Sequence, residues 1–370
     1  VKYIFLLLLF LPIHLLANDG AYYGNGNQLI PIIETEIEVQ KEILTITKVD
    51  DYFKVDVYYE FYNPSEPKTI LVGFEADAPQ GDVNATPIDG KHPNMRNFKV
   101  LMNGEQLKYD IKYVNDSAYY KNGKFISTPF KDAEKEMNSQ HGPYNYVYHF
   151  NAHFGKGLNI VHHTYEYDYS NGIFSSCDFT YVLTAANRWA NKQIDDFTLI
   201  IDFGAFTEII LPKTFWKNDS NWEINGLLEQ NFSPDLERVF KNNKFYIATS
   251  FDGKLMFKKN NFQPNGELEF YALDQYALQM AVTMDTFNCD KQRLPLAIAL
   301  VENIIPIENS YSHKILRNLP YARRGCIFDA EGLIEYYESL KWYKPDNNYS
   351  ASIESLTKRE QTWLKKFEEH

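Results

Sequence analysis

Strict alternation of apolar and polar residues constrains this chain more than any other feature. Ile33, Thr35, Ile37 and Val39 alternate with Glu34, Glu36, Glu38 and Gln40, which is the period of a half-buried strand. Phe53, Val55, Val57, Tyr59 and Phe61 repeat it. Two prolines in 63–68 mark a turn, and 69–74 reads as a short strand. Residues 77–96, with three prolines and two glycines, read as a loop. Segments 98–102 and 106–114 flank Asn103-Gly104, the favoured pair for a tight hairpin. The polar stretch 115–144 reads as an insertion or a long surface loop. Strands resume at 146–150, 158–169, 177–183, 197–202 and 208–211. Asn225-Gly226 and Asp252-Gly253 predict two more turns, the second joining 245–249 to 255–258, and 267–273 is the last clear strand.

So many short strands predict a mainly antiparallel β-sandwich, and the period changes after residue 275 to one suited to helices. Residues 294–304 are apolar enough for a buried helix that docks the C-terminal part onto the sheets. Thr357 with Glu360 fits a capping box for a final helix carrying Leu364 and Phe367. The expected class is therefore α+β multidomain, with a sandwich-like region over 18–280 and a small helical module over 290–370, the boundary lying between 276 and 290. At 370 residues, 16% of them aromatic, the chain has material for sizeable cores.

Residues 1–17 read as a secretory signal peptide, with Lys2, an apolar core over 4–16 and cleavage near Ala17. Export to the periplasm or the exterior is the expectation. Pro12, His14 and the modest length argue against a stable membrane anchor. The net charge of −12 sits in the N-terminal part, because 291–370 holds 12 basic against 11 acidic residues. An acidic body disfavours nucleic acid and anionic membrane surfaces as partners. The three cysteines, Cys177, Cys289 and Cys326, allow one disulfide with a leftover thiol, or none at all.

The stretch 316–328 reads Leu-Arg-Asn-Leu-Pro-Tyr-Ala-Arg-Arg-Gly-Cys-Ile-Phe. Arg323 and Arg324 precede Gly325, where cations favour the negative end of a helix and glycine stops it. Asp329 would cap a second helix whose Leu333, Tyr336, Tyr337 and Leu340 share one face, closed by Trp342 to Pro345. This order resembles the YARHG module, a small bacterial domain with an Arg-Asn pair, a Tyr-Ala-Arg-His-Gly core, a second helix and a Trp-Tyr-x-Pro ending. The resemblance implies an extracellular module without a settled activity. It also puts Cys326 where the family has an aromatic or aliphatic core residue, which implies a small buried hydrophobe there and leaves Cys177 and Cys289 as the candidate disulfide. Arg324 stands at the family's histidine, and Pro320 enters a helix that the family continues, which predicts a kink or a restart there. The part before it, with Asn18-Asp19-Gly20, 181–184, Trp189, Ile194 and 197–202, resembles an uncharacterised β-rich envelope domain.

Within the module, Arg317, Asn318, Arg323, Arg324, Trp342 and Tyr343 are candidate contacts for a cell-wall glycan or an envelope protein. A packing role is the alternative, with Tyr321 and Trp342 filling a small core and Arg317 and Asn318 bonding carbonyls of the Trp342 turn. Five of nine histidines fall between 141 and 163. On a strand, His162, Glu166 and Asp168 would share a face and could offer a metal its ligands, the basis of an alternative reading as a metal-dependent envelope hydrolase. No His-Glu-x-x-His, Gly-x-Ser-x-Gly, phosphate-loop or dinucleotide motif occurs. The favoured reading is a noncatalytic exported envelope protein with a C-terminal binding or docking unit and no cofactor.

Overall fold

The computed structural model describes residues 26–32, 35–77, 79, 86–115, 119–138, 144–169, 175–231, 244–273, 286–302, 304 and 306–367. The expected signal peptide and most of the expected domain boundary lie outside them. The strands are β1 (Gly26–Pro31), β2 (Glu38–Val49), β3 (Tyr52–Asn63), β4 (Lys68–Ala76), β5 (Met95–Met102), β6 (Glu105–Gln106), β7 (Asp110–Val114), β8 (Tyr120–Lys121) and β9 (Lys124–Phe125). Of the described residues in the alternation at 33–40, only 38–40 lie in a strand, at the start of β2. Next come β10 (Asn145–Phe154), β11 (Gly157–Asp168), β12 (Ser175–Tyr181), β13 (Ile194–Asp202), β14 (Glu208–Pro212), β15 (Trp222–Asn231), β16 (Phe245–Phe262) and β17 (Leu268–Leu273).

The large sheet runs β12-β17-β14-β16-β13-β2-β3-β11-β5-β6, with β15 also on β16, and the small one runs β1-β4-β10-β7. Their apolar faces meet in one core, as the sandwich reading requires. Phe74 of the small sheet lies 5.2 Å from Tyr165 and 5.5 Å from His163 of the large one, ring centre to ring centre. The pairing is antiparallel throughout the described strands except β13 with β2.

Three expected turns take another form. After Asn103-Gly104 the hairpin lasts only through β6, and β7 crosses to the small sheet beside β10. Asp252-Gly253 lies inside β16, which pairs with β14 through 245–249 and with β13 through 254–262. A Cβ on Gly253 would come within 2.8 Å of the Gly204 backbone, so this glycine serves a close approach. Asn225-Gly226 is a shift of register within β15, where the Thr249 carbonyl occupies the place of a Gly226 side chain. The insertion at 115–144 carries the β8–β9 ribbon and helix α1 (Phe130–Asn138).

Buried deep in the sandwich, Glu42 has two tyrosines near it and, among the described residues, no ion-pair partner. The Tyr181 hydroxyl approaches its carboxylate at 3.4 Å, and the hydroxyls of Tyr59 and Tyr181 are 3.2 Å apart. Burial pushes the Glu42 carboxyl up to about 8 against the opposing effect of these bonds. His163 and His92 are also buried, and burial pulls them down to about 3 and about 4. The signs differ. Folded Glu42 keeps a proton that the unfolded chain releases, so stability falls as pH rises from the ordinary carboxylate range to about 8. The histidines bind protons more readily when unfolded, so their contribution is lost as pH falls below about 6.5. We expect greatest stability near pH 6.5. Glu42→Gln should flatten the alkaline limb, whose slope approaches ~1.4 kcal/mol per pH unit, in chemical unfolding followed across pH. An unchanged limb would show that Glu42 is ionised in the fold.

The C-terminal part has its own core, containing Phe287, Leu294, Leu296, Ile298, Val301, Ile304, Leu316, Leu319, Tyr337, Trp342 and Trp363. Its helices are α2 (Ser310–Ala322), α3 (Leu333–Glu338) and α4 (Lys358–Lys366). The described part of 294–304 is largely buried as expected, but among its described residues helical structure is limited to the tight turn Ile298–Leu300. Pro295 denies it one helical donor, and the Ile298 N–H goes to Glu208 of the sandwich at 3.0 Å. α3 starts later than Asp329 predicts. Gly332 stands at its N-cap with φ 89°, and the Tyr311 hydroxyl donates to the Gly332 carbonyl at 2.7 Å. The capping box at Thr357 and Glu360 is present.

α2 runs through Pro320 without the expected restart. Pro320 has no N–H for the carbonyl of Leu316, four residues earlier. The Trp363 indole Nε1–H donates to that carbonyl at 2.8 Å, so α4 supplies the bond that the proline withholds. Trp363→Phe should cost about 2 kcal/mol by leaving a buried acceptor unpaired. The cost should shrink in a Pro320→Ala background, where a backbone N–H returns. A double-mutant cycle on unfolding midpoints measures this, and additive effects would contradict it.

Candidate functional site

Gly325 ends α2 with φ 83°, while the N–H groups of Gly325 and Cys326 bond back to Ala322 and Tyr321. That stop leaves Arg323 and Arg324 on the last turn, facing inward. Arg323 donates from Nη2 to the Phe206 carbonyl at 2.9 Å, and the same nitrogen lies 3.1 Å from Glu208 Oε1 at the start of β14. Its Nη1 is 3.6 Å from Glu360 Oε1. Arg324 forms a two-pronged pair with Glu360, at 2.8 and 2.6 Å, and lies 3.8 Å from the centre of the Phe206 ring. Arg359 extends the chain, reaching Glu208 at 3.2 Å and Glu302 twice at 2.6 Å.

Three guanidinium groups thus meet three carboxylates. Arg323, Glu208 and Glu360 each expose about 1% of the side chain. Burial pulls Arg323 below the ordinary guanidinium range, against Glu208 and Glu360. For Glu360 burial acts upward, but the bond from Arg324 and the charges of Arg323 and Arg324 outweigh it and leave the carboxyl low. Glu360 also accepts the Thr357 N–H at 2.9 Å, so one side chain caps α4 and neutralises the end of α2. Phe206 is the partner that sequence reasoning missed. It adopts φ 59°, a conformation costly for an aromatic residue, and thereby presents ring and carbonyl together.

Arg323 and Arg324 therefore have their charges engaged inside the molecule, because this chain's own carboxylates fill the place of the expected external ligand. Arg317 is exposed on α2, and Asn318 bonds the Lys314 carbonyl of its own helix at 2.8 Å rather than the Trp342 turn. Trp342 is buried with its indole on the Leu294 carbonyl at 2.9 Å, and Tyr343 donates to the Cys326 carbonyl at 2.7 Å. Both serve the module core.

His162, Glu166 and Asp168 do share a face of β11. Arg96 bridges Glu166, at 3.0 Å, and Asp168, while His162 Nε2 lies 2.9 Å from Asp56. A cation already sits between the two carboxylates, so a metal ion would have to displace a guanidinium. Cys177 and Cys289 are free and buried in different cores, Cys177 in the sandwich and Cys289 in the module. The expected bridge is absent, each thiol being packed in its own core. Burial pushes the Cys177 thiol up to about 12.

An open groove of about 610 Å³ lies where β13 begins and β16 ends. Its lining includes the largely buried Phe215, Trp216, Phe257 and Phe262 and the amides of Asn187, Asn218, Asn221, Asn261, Gln263 and Asn265. Lys192, Lys217 and Lys259 complete it. Amides each offer a donor and an acceptor, which suits hydroxyl-rich ligands. The sequence gives these residues no motif, because they come from three separate segments, 187–192, 215–221 and 257–265.

Removing one side of the buried network should be costly. Glu360→Gln leaves Arg323 and Arg324 short of counter-charge and should lower stability by about 3–5 kcal/mol, whereas Glu302→Gln, at the half-exposed end, should cost about 1 kcal/mol or less. Because the folded Glu360 carboxyl is lowered, its contribution is present above the ordinary carboxylate range and lost as pH falls through its folded value. Unfolding midpoints of the two variants at pH 7 check the ranking, and equal losses would refute it.

Among solved structures the chain is similar to a candidate nutrient-binding protein of Legionella pneumophila, at 17% identity over 95% of this chain and 99% of that one, with a TM-score of 0.47. It also matches a zinc metallopeptidase of Deinococcus radiodurans, at 10% identity over 66% and 43% of the two chains, TM-score 0.27. Baculovirus P35 matches at 12% identity over 66% and 99%, TM-score 0.26. Likeness of this degree bears on no activity. The chain has no match among curated proteins. The family model of the YARHG domain matches residues 308–370, so the helical module that the ion network fixes to the sandwich carries a YARHG domain.

Proposed function

We propose that this is an exported, noncatalytic binding protein of the bacterial cell envelope, in which the β-rich region holds a glycan and the YARHG domain braces that region. The observation that carries the reading is the groove at the start of β13 and the end of β16, whose lining brings six side-chain amides together. Residues 1–17 would direct export and be removed. The docking expected of Arg323 and Arg324 is then intramolecular, since their partners Glu208 and Phe206 belong to the sandwich. A binding site on the body needs a rigid frame, and a neutralised, buried network supplies one without leaving charge unpaired.

The test is co-sedimentation of residues 18–370 with insoluble envelope glycan. Asn221→Ala with Asn265→Ala should weaken retention about tenfold while the unfolding midpoint stays put, because two polar contacts of about 0.5–1.5 kcal/mol each are lost. Retention equal to the unaltered protein would remove the groove from the reading. No retention of either protein would remove the glycan.

A further inference from the structure

The groove is charged against the trend of the chain. The sequence carries 49 acidic and 37 basic residues, yet the groove lining has three lysines and no carboxylate. Among the described residues, no ion pair holds the side chain of Lys192, Lys217 or Lys259. The nearby carboxylate of Asp219 is engaged elsewhere, by Lys213 at 2.7 Å, Tyr246 at 2.6 Å and the Trp216 indole at 3.1 Å. Three free ammonium groups in one concavity repel one another, an arrangement that an anionic ligand relieves.

The groove also continues. Asn187 and Lys192 line a second depression of about 730 Å³, which includes Thr35, Glu36, Glu38 and Arg188. Glu36 there is paired with Lys68 at 2.8 Å. Two depressions sharing a wall suit a ligand of several units rather than a single small molecule. Lys192 and Asn261, both on the groove, hold φ of 51° and 49°. For a lysine this is uncommon and marks a backbone fixed by its surroundings.

We infer that the groove takes a carboxylated oligosaccharide, with its hydroxyls on the asparagine and glutamine amides, its carboxylates toward Lys192, Lys217 and Lys259, and its chain passing Asn187 into the second depression. The inference rests on the glycan-binding reading and specifies its ligand. An acidic peptide is less suited. Peptides in extended form add to a free strand edge, and β13 offers none, being flanked by β2 and β16.

Titration of residues 18–370 by calorimetry tests this with three probes: a hexamer of galacturonate, a neutral galactose hexamer and a hexamer of aspartate. The galacturonate hexamer should bind at least tenfold tighter than the neutral hexamer in 50 mM salt, and the gap should narrow at 200 mM. Lys217→Gln with Lys259→Gln should weaken galacturonate binding about tenfold, given up to ~1 kcal/mol per exposed charge contact. Lys192 is left intact because its φ makes any change there a backbone change as well. Equal affinity for both saccharides, or no effect of the lysine pair, would overturn the acidic specificity while leaving glycan binding standing. Tightest binding of the aspartate hexamer would replace the saccharide with an acidic peptide. If no probe binds while the unfolding midpoint is normal, this inference falls, and the glycan reading falls with it only if insoluble envelope glycan also fails to retain the protein.

Discussion

The packing of the YARHG domain on the sandwich depends on keeping Arg323 charged out of water. A guanidinium at 1% exposure is tolerable only where carboxylates and carbonyls replace its hydration, and Glu208, Glu360 and the Phe206 carbonyl do so. These partners come from three places in the chain. Glu208 starts a strand of the sandwich, Phe206 precedes it on a strained backbone, and Glu360 opens the last helix. None of the three elements can shift without exposing a buried charge. The network therefore fixes a position more than it adds affinity, since desolvating six charged groups offsets much of their mutual attraction.

Around this point the domain closes by substitution of one donor for another. The Trp363 indole replaces the N–H that Pro320 lacks, the Trp342 indole satisfies Leu294, and the Tyr337 hydroxyl reaches Ile315 at 2.6 Å. Large amphipathic rings let a module of few residues fill a core and still pair its buried carbonyls. The core also includes 287–304, upstream of the span that matches the family, so the folded unit begins before the recognisable one. Glu208 accepts from Ile298 in that upstream segment as well as pairing with Arg323. Body, connecting segment and domain thus meet on one carboxylate.

Much of this was legible in residue order. The alternation at 53–61 became β3, the Gly325 stop became a left-handed cap, and Thr357 with Glu360 formed their box, because each depends on neighbours a few residues away. Turn pairs were read less well. Asp252-Gly253 and Asn225-Gly226 look like hairpin tips, but their glycines admit a neighbouring backbone within a continuous strand. The same local signal serves both uses, and only the partner strand distinguishes them. Site residues followed the same division. Arg323 and Arg324 stand out in the sequence as helix-end cations and candidate contacts, while their counter-charges lie 115 and 36 residues away, at Glu208 and Glu360.

By itself the sequence determined the strand-rich region, the helical ending, the family of that ending and the caps that delimit its helices. All of these are set by periodicity or by hydrogen bonds that close within one turn. Only the tertiary structure decided that the paired arginines face inward, that Cys177 and Cys289 belong to different cores, and that scattered asparagines and lysines converge on one groove. Burial and charge pairing are properties of distance in space. Residues remote in the chain acquire them when a 3.1 Å contact such as Arg323 to Glu208 brings two domains together.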